Sequence, residues 1–295
     1  MKKLLFILAL LSSLYSKVDI SLSSPTVKIA NTFRVDLKSD TRLTQAPSVS
    51  FMGKTYQMFS KNWSENSYEV FIPVSYYTKK IKYNVNISYK LDNKIYKKRL
   101  YLNVIDANYK KNEIITVAKG KVKLSSKNKK KSSNEYNIVY KNVYSVITPK
   151  TYIKNSSFIN PMNSKITSDF GTSRIYNGIV KSYHTGVDFR AKTPQKIYAT
   201  NNGIVALTMK RFYLGNVIYI DHGRGLYTYY SHLSKFLVQD GEYVKKGQVI
   251  ALSGKTGRIT APHLHYATRL YNTTVDPLEF HKLYNNGVNK WDIYY

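Results

Sequence analysis

Apolar residues in this chain come in short runs rich in Val, Ile, Tyr and Phe, each cut off by Gly, Asn or Asp, and this punctuation points to antiparallel β structure. Thr32–Leu37, Ser48–Tyr56, Tyr68–Tyr77, Lys82–Lys90 and Tyr96–Ile105 read as strands. Asp92 and Asn93 give a hairpin signature across Leu91–Lys94. Several short strands at this spacing predict a small β-sandwich-like domain over residues 17–107, and no catalytic constellation falls in it. A second set of short runs, Val187–Phe189, Gly203–Leu207, Asn216–Ile220, Leu226–Tyr230, Val249–Leu252 and His263–Leu270, predicts a compact antiparallel β-sheet domain over 158–281. With 43% hydrophobic residues in a 295-residue chain, there is enough apolar material to give both domains a core.

Between them, residues 108–157 change texture. Lys119, Lys121, Lys123, Lys127 and Lys129–Lys131 cluster among Ser125, Ser126, Ser132 and Ser133. Like charges repel and serine adds nothing to a core, so the middle of this stretch is expected to be a linker and exposed basic loop, framed by strands at Ile114–Val117 and Ile138–Val146. Residues 282–295 read as a C-terminal tail.

At the other end, Lys2 and Lys3 precede an unbroken apolar run, Leu4–Leu11, and small or polar residues follow to Ser16. That is the pattern of a signal peptide over 1–16, and the run is too short to span a bilayer. The chain has no cysteine, which excludes disulfides and a cysteine-linked lipid anchor. The expected mature protein is periplasmic and soluble, with no integral membrane segment. Its net charge of +29 favours polyanions. An exported protein rarely meets nucleic acid, so wall carboxylates and anionic lipid headgroups are the better partners. A general enrichment in Lys, Asn, Tyr and Ile would give the same charge without any partner.

All six histidines, at 184, 222, 232, 263, 265 and 281, fall in the second domain. Residues two apart on a strand share a face, so His263 and His265 should face one cleft, with Leu264 in the core. Such a pair can share a metal, or one member can bind metal while the other touches substrate. His184-Thr185-Gly186-Val187-Asp188 supplies a nitrogen and a carboxylate oxygen, with Gly186 letting the backbone turn between them. With His265 the set is two nitrogens and one oxygen, which leaves a fourth zinc position for water; closed structural sites are usually cysteine-rich. Such a metal activates water and polarises a carbonyl. His232 and His263 are then available to move protons or to stabilise an oxyanion.

The stretch from Ile166 to Pro277 resembles the LytM/lysostaphin-type zinc metallopeptidases. The likeness is carried by Thr167-Ser168-Asp169-Phe170-Gly171, His184-Thr185-Gly186-Val187-Asp188, Asp221-His222-Gly223, Tyr230-Ser231-His232-Leu233, Gly254-Lys255-Thr256-Gly257-Arg258 and Pro262-His263-Leu264-His265. Ala261 stands where that family has glycine. The resemblance implies Zn2+ on His184, Asp188 and His265, with His232 and His263 serving catalysis. His222 reads as structural and His281 as a surface residue. The implied function is a peptidoglycan hydrolase of stem-peptide cross-links, a D-Ala–diaminopimelate endopeptidase with carboxypeptidase side activity, acting in wall remodelling and cell shape. Ser48–Tyr56 resembles the β domain that precedes the peptidase in Gram-negative cell-shape proteins. The alternative is a non-enzymatic wall-binding regulator of other hydrolases, as degenerate members of the family are, but those lack ligands or catalytic histidines that are all present here. Arg174, Lys181, Arg190 and Arg269 are candidates to line a basic groove.

Overall fold

The computed structural model describes residues 18–289, except 62–63, 118–119, 121 and 179. The expected signal peptide, Lys119, Lys121 and the end of the tail lie outside the described residues. The chain groups into two compact units: one takes Val35–Val70, Val85–Leu100 and the strand Val18–Leu22; the other takes Ser23–Arg34, Phe71–Asn84 and everything from Tyr101 on. Strand dominates throughout, as expected for a mostly β chain. Among the described residues no helix is long and apolar enough to cross a membrane.

The first hundred residues form a four-stranded and a five-stranded sheet. Their strands alternate as period-2 patterning requires: Thr32–Ser39 buries Phe33, Val35 and Leu37, and Lys82–Leu91 buries Val85 and Ile87. The expected hairpin joins Lys82–Leu91 to Lys94–Ile105, with Asp92 (φ 47°) and Asn93 (φ 60°) both left-handed. Paired positive φ values match the twist of the flanking strands, and Asn and Asp tolerate them.

The second unit is built on a ten-stranded sheet. Its main path runs Ile166–Ser168, Val187–Arg190, His263–Leu270, Leu226–Phe236, Gly215–Gly223, Gly203–Arg211, Tyr243–Val244. The central strands are buried almost without interruption because both faces are covered. Ile218, Ile220, Tyr230, Leu264 and Tyr266 pack into one core with Val187 and Phe189. Val217, Tyr219, Tyr227, Tyr229 and Ala267 pack on the other side. Fully burying a side chain such as Leu264 contributes about 2 kcal/mol.

The cover on that second face corrects the expected basic loop. Residues Ser126–Val139 are an α-helix, continued by a wide turn over Tyr140–Tyr144, and the strand expected at Ile138–Val146 does not form. Ser125 caps the helix by accepting from the Asn128 N–H at 3.3 Å. Lys127 and Lys129–Lys131 are exposed, whereas Val139, Val143 and Tyr144 seat the C-terminal end on Val217, Tyr219 and Tyr229. Packing of that last turn overrides the weak helical signal of a Lys/Ser-rich stretch.

Candidate metal centre

Val187–Arg190 runs antiparallel to His263–Leu270 in a register that sets Asp188 opposite His265 and Arg190 opposite His263. On the other side of the same strand, Ser231 pairs with His265. With Val187, Phe189, Leu264 and Tyr266 in the core, Asp188, His263 and His265 fall on the opposite face. His184 precedes the first strand, held by backbone bonds from its N–H to Thr172 O and from the Gly171 N–H to its carbonyl, both 2.8 Å.

These constraints bring three donor atoms together. His184 Nε2 lies 2.9 Å from Asp188 Oδ1 and 3.0 Å from His265 Nδ1, and His265 Nδ1 lies 2.9 Å from Asp188 Oδ1. Ligands at tetrahedral zinc distances stand about 3.3 Å from one another, so the triangle fits the ion with a small expansion. Among the described residues this is the one group of three or more His, Cys, Asp or Glu able to hold a metal, and all three members are buried.

The surroundings fix which atoms the three side chains turn toward one another. His184 Nδ1 lies 2.8 Å from Asp169 O, which can only accept, so Nδ1 carries the proton and Nε2 presents its lone pair. His265 turns Nδ1 to the group, while its buried Nε2 has no hydrogen bond among the described residues. Burial pushes the His265 ring down to about 4. Burial alone would raise Asp188, but the His184 and His265 contacts hold it well below the usual carboxylate range. Its second oxygen accepts from Arg174 Nη2 at 2.9 Å.

Gly186 has a reason other than the turn expected of it. Its φ is not left-handed; a Cβ there would strike the Tyr266 carbonyl and stand 2.7 Å from His265 Cε1. The residue is glycine because the His265 imidazole and the Tyr266 carbonyl occupy the space.

His232 and His263 flank the group, with ring centroids 4.8 Å apart at 63°. His263 Nδ1 donates to Ala261 O at 2.9 Å, and its Nε2 stands 3.7 Å from Asp188 Oδ1. His232 Nδ1 donates to Thr256 O at 2.8 Å. Each ring is thereby held by Nδ1 with its Nε2 edge turned away from that carbonyl. Burial, then the neighbouring His263 and His265, pushes His232 down to about 3, which keeps it neutral. His232 also sits at φ 65°, beside irregularities in the pairing of Leu226–Phe236 with the strands on either side. A non-glycine residue in that region costs about 1–3 kcal/mol and persists where its surroundings over-determine it. Here they do: the His232 N–H donates to Leu214 O, and Thr256 Oγ1 and Asn216 Nδ2 both donate to Leu233 O.

The remaining histidines are separate from this group. His222 is enclosed, with Nδ1 at 2.7 Å from Asn202 O and Nε2 at 2.8 Å from Thr228 Oγ1, a structural role as expected. His281, expected at the surface, is buried: it stacks on Phe158 and its Nε2 lies 2.8 Å from the Tyr266 hydroxyl, because the helix Pro277–Asn289 turns that face inward. Of the expected groove cations, Arg174 is buried against Asp188, Arg190 is exposed, and Arg269 lies over Tyr144 and donates to Asn272. The Lys181 side chain lies outside the described part. Arg258, which closes Gly254-Lys255-Thr256-Gly257-Arg258, is a further cation here: it lies over the rings of Tyr176 at 4.1 Å and Tyr213 at 4.4 Å, two residues beyond the carbonyl that orients His232.

A buried His-Asp-His group with two further histidines beside it, carried on antiparallel β-sheet, is the equipment of a metal-dependent hydrolase. Residues 182–277 match the model for peptidase family M23, and the chain carries a domain of that metallopeptidase family. It is similar to peptidoglycan DD-endopeptidase ShyA of Vibrio cholerae, 42% identical over 109 residues, 36% of this chain and 25% of that one. It is also similar to the DD-carboxypeptidase/endopeptidase Mpg of Neisseria meningitidis, 38% identical over 95 residues, 32% of this chain and 22% of that one. The chain thus spans about a quarter of the length of these curated relatives. A Pseudomonas aeruginosa crystal structure assigned to peptidase M23 shares the fold over 88% of this chain and 95% of its own, with a TM-score of 0.64 at 21% identity.

Proposed function

We propose that this protein is a zinc-dependent peptidoglycan endopeptidase of the periplasm that hydrolyses the D-Ala–diaminopimelate bond between stem peptides, in wall remodelling and cell shape. Removal of terminal D-Ala from pentapeptide stems is a side activity. The observation that carries the reading is the convergence of His184, Asp188 and His265 with two histidines, His232 and His263, whose Nδ1 atoms are tied to backbone carbonyls. The names of the relatives support the bond: ShyA is a DD-endopeptidase, and Mpg a DD-carboxypeptidase as well.

In this mechanism His184 Nε2, Asp188 Oδ1 and His265 Nδ1 hold zinc. When bound there, the ion would supply Lewis acidity toward water and the scissile carbonyl. His232 and His263 supply the proton traffic: between them they take the proton of the attacking water, stabilise the tetrahedral oxyanion and return a proton to the leaving amine. Their Nδ1–H bonds to Thr256 O and Ala261 O hold the rings in the required tautomer and orientation. Arg258, carried over two tyrosine rings beside the His232 loop, supplies positive charge for the free carboxylates of stem peptides, which glycine bridges lack.

The test is digestion of cross-linked sacculi and of pentaglycine by the purified protein with zinc. Loss of dimeric muropeptides with a matching gain of monomers is expected. Cleavage of pentaglycine with dimers untouched would overturn the substrate, and no turnover of either by zinc-loaded protein would overturn the enzyme reading in favour of a wall-binding regulator.

A further inference from the structure

The strand Glu113–Ile115 lies well ahead of the matched domain, in the stretch that joins the two β regions. It pairs in parallel with Ser173–Tyr176, setting Glu113 opposite Arg174. The pairing is extended on both sides: the Ser173 N–H donates to Lys110 O at 2.9 Å, the Asn177 N–H to Ile115 O at 3.0 Å, and the Asn177 side chain accepts from the Val117 N–H and donates to Val117 O. This joining segment is thereby stitched along a strand whose arginine reaches the metal group.

Arg174 makes three bonds there. Its Nε donates to Glu113 Oε2 at 2.7 Å, and its Nη2 donates to Asp188 Oδ2 at 2.9 Å and to Ser168 Oγ at 2.7 Å. The Arg174 side chain is 12% exposed, Asp188 7% and Glu113 31%, so the Arg174–Asp188 bond is largely shielded from water while Glu113 meets solvent on one side. Its consequences for Asp188 are geometric and electrostatic. A carboxylate with two open oxygens can swing or chelate with both; one whose Oδ2 is held by a guanidinium presents Oδ1 alone, and Oδ1 is the atom that meets the two histidine nitrogens. The cost is a cation near the place where a dication binds, which draws charge from Asp188. Glu113 offsets it, because the Glu113–Arg174–Asp188 row sums to one negative charge whereas Arg174 and Asp188 alone sum to zero.

We propose that Arg174 and Glu113 are positioning residues for the metal: Arg174 orients Asp188, and Glu113, from outside the peptidase domain, restores the negative charge that makes Asp188 a strong ligand. The idea rests on the zinc assignment above. Partners of this kind around metal ligands are typically worth 10–100-fold in affinity.

The test uses the full chain and the metal itself. Zinc affinity is measured by competition with a chromophoric chelator for the wild type, Glu113→Gln, Arg174→Lys and His265→Ala, together with the thermal midpoint of each apo form and the visible spectrum of each cobalt(II) form. Glu113→Gln keeps a hydrogen-bond acceptor and removes only the charge, so it should weaken zinc about tenfold with the apo midpoint near that of the wild type. Arg174→Lys keeps the charge without the fork, and should weaken zinc and shift the cobalt spectrum. Zinc affinities within twofold of wild type in both variants would overturn the proposal, as would a fall in apo midpoint with affinity unmoved, since that is what a mere strut does. Failure of the wild type to bind zinc more tightly than His265→Ala would instead overturn the metal assignment.

Discussion

Replacing Gly186 by alanine tests whether the metal site depends on empty space as well as on ligands. The new Cβ would stand 2.7 Å from His265 Cε1 and 2.8 Å from its Nε2, and would strike the Tyr266 carbonyl. Carbon atoms pack at about 3.5–4.0 Å, so the imidazole must retreat by at least ~0.8 Å. The backbone offers little relief, since Val187 and Tyr266 are paired partners in adjacent strands. Workable metal–ligand distances lie within about 0.2 Å of ideal, so a shift of that size takes Nδ1 out of range. Overpacking of this kind costs about 1–3 kcal/mol of stability, and a misplacement near 1 Å costs about 10²-fold in rate. Gly186→Ala should therefore fold with a midpoint lower by several degrees, bind zinc at least about tenfold more weakly in chelator competition, and lose about 10²-fold in muropeptide turnover. Wild-type zinc affinity together with wild-type turnover would refute the reasoning, because it would mean that the ring and strand yield at no cost.

Three further outcomes are expected. His232→Ala and His263→Ala should each keep zinc and fold while losing about 10²–10⁴ in turnover; near-normal turnover with stoichiometric zinc in either would make that histidine structural. Burial lowers His222 to about 4 and His281 to about 3 in the fold, from the ordinary 6.5. Below pH 6.5 the unfolded chain takes up protons that the fold refuses, so stability should fall as pH drops from 6.5 toward about 4, by up to ~1.4 kcal/mol per pH unit for each ring. His281→Gln should flatten that fall in a series of melting curves, and identical slopes would show that His281 does not contribute. On the exposed face of the helix Ser126–Val139, neutralising Lys127, Lys129, Lys130 and Lys131 should weaken sacculus binding and reduce its salt dependence without changing cleavage of a short soluble peptide. Unchanged binding across a salt titration would leave the run as a solvated face.

The sequence disclosed what depends on local pattern. Strands were legible because alternation and β-branched runs report a sheet face directly, and the Asp92-Asn93 hairpin because its backbone needs residues that accept positive φ. The candidate site positions were legible because His184, Asp188, His232, His263 and His265 lie in motifs with fixed spacing, and the fold brings them together. What escaped notice depends on distant partners. The helix after Ser125 shows as one only when the uncovered face of Val217, Tyr219 and Tyr229 is known. His281 looks like a polar residue on a surface helix until Tyr266 and Phe158 close over it. Glu113 carries no motif at all; its meaning lies in the register that sets it against Arg174.

The spacing of the proposed ligands also bears on how the molecule would acquire its metal. His184 and Asp188 are four residues apart, whereas Asp188 and His265 are separated by 77. In the unfolded chain an ion can be gripped by the near pair, but recruiting the third ligand means closing a loop whose entropy costs about 4 kcal/mol. Zinc therefore cannot nucleate this fold as it does in small domains with clustered ligands. The sheet has to register Val187–Arg190 against His263–Leu270 first, and the ion enters a pocket that is already formed. Its contribution then appears in how long the native state lasts rather than in how fast it forms: metal should slow unfolding and leave the refolding rate unchanged.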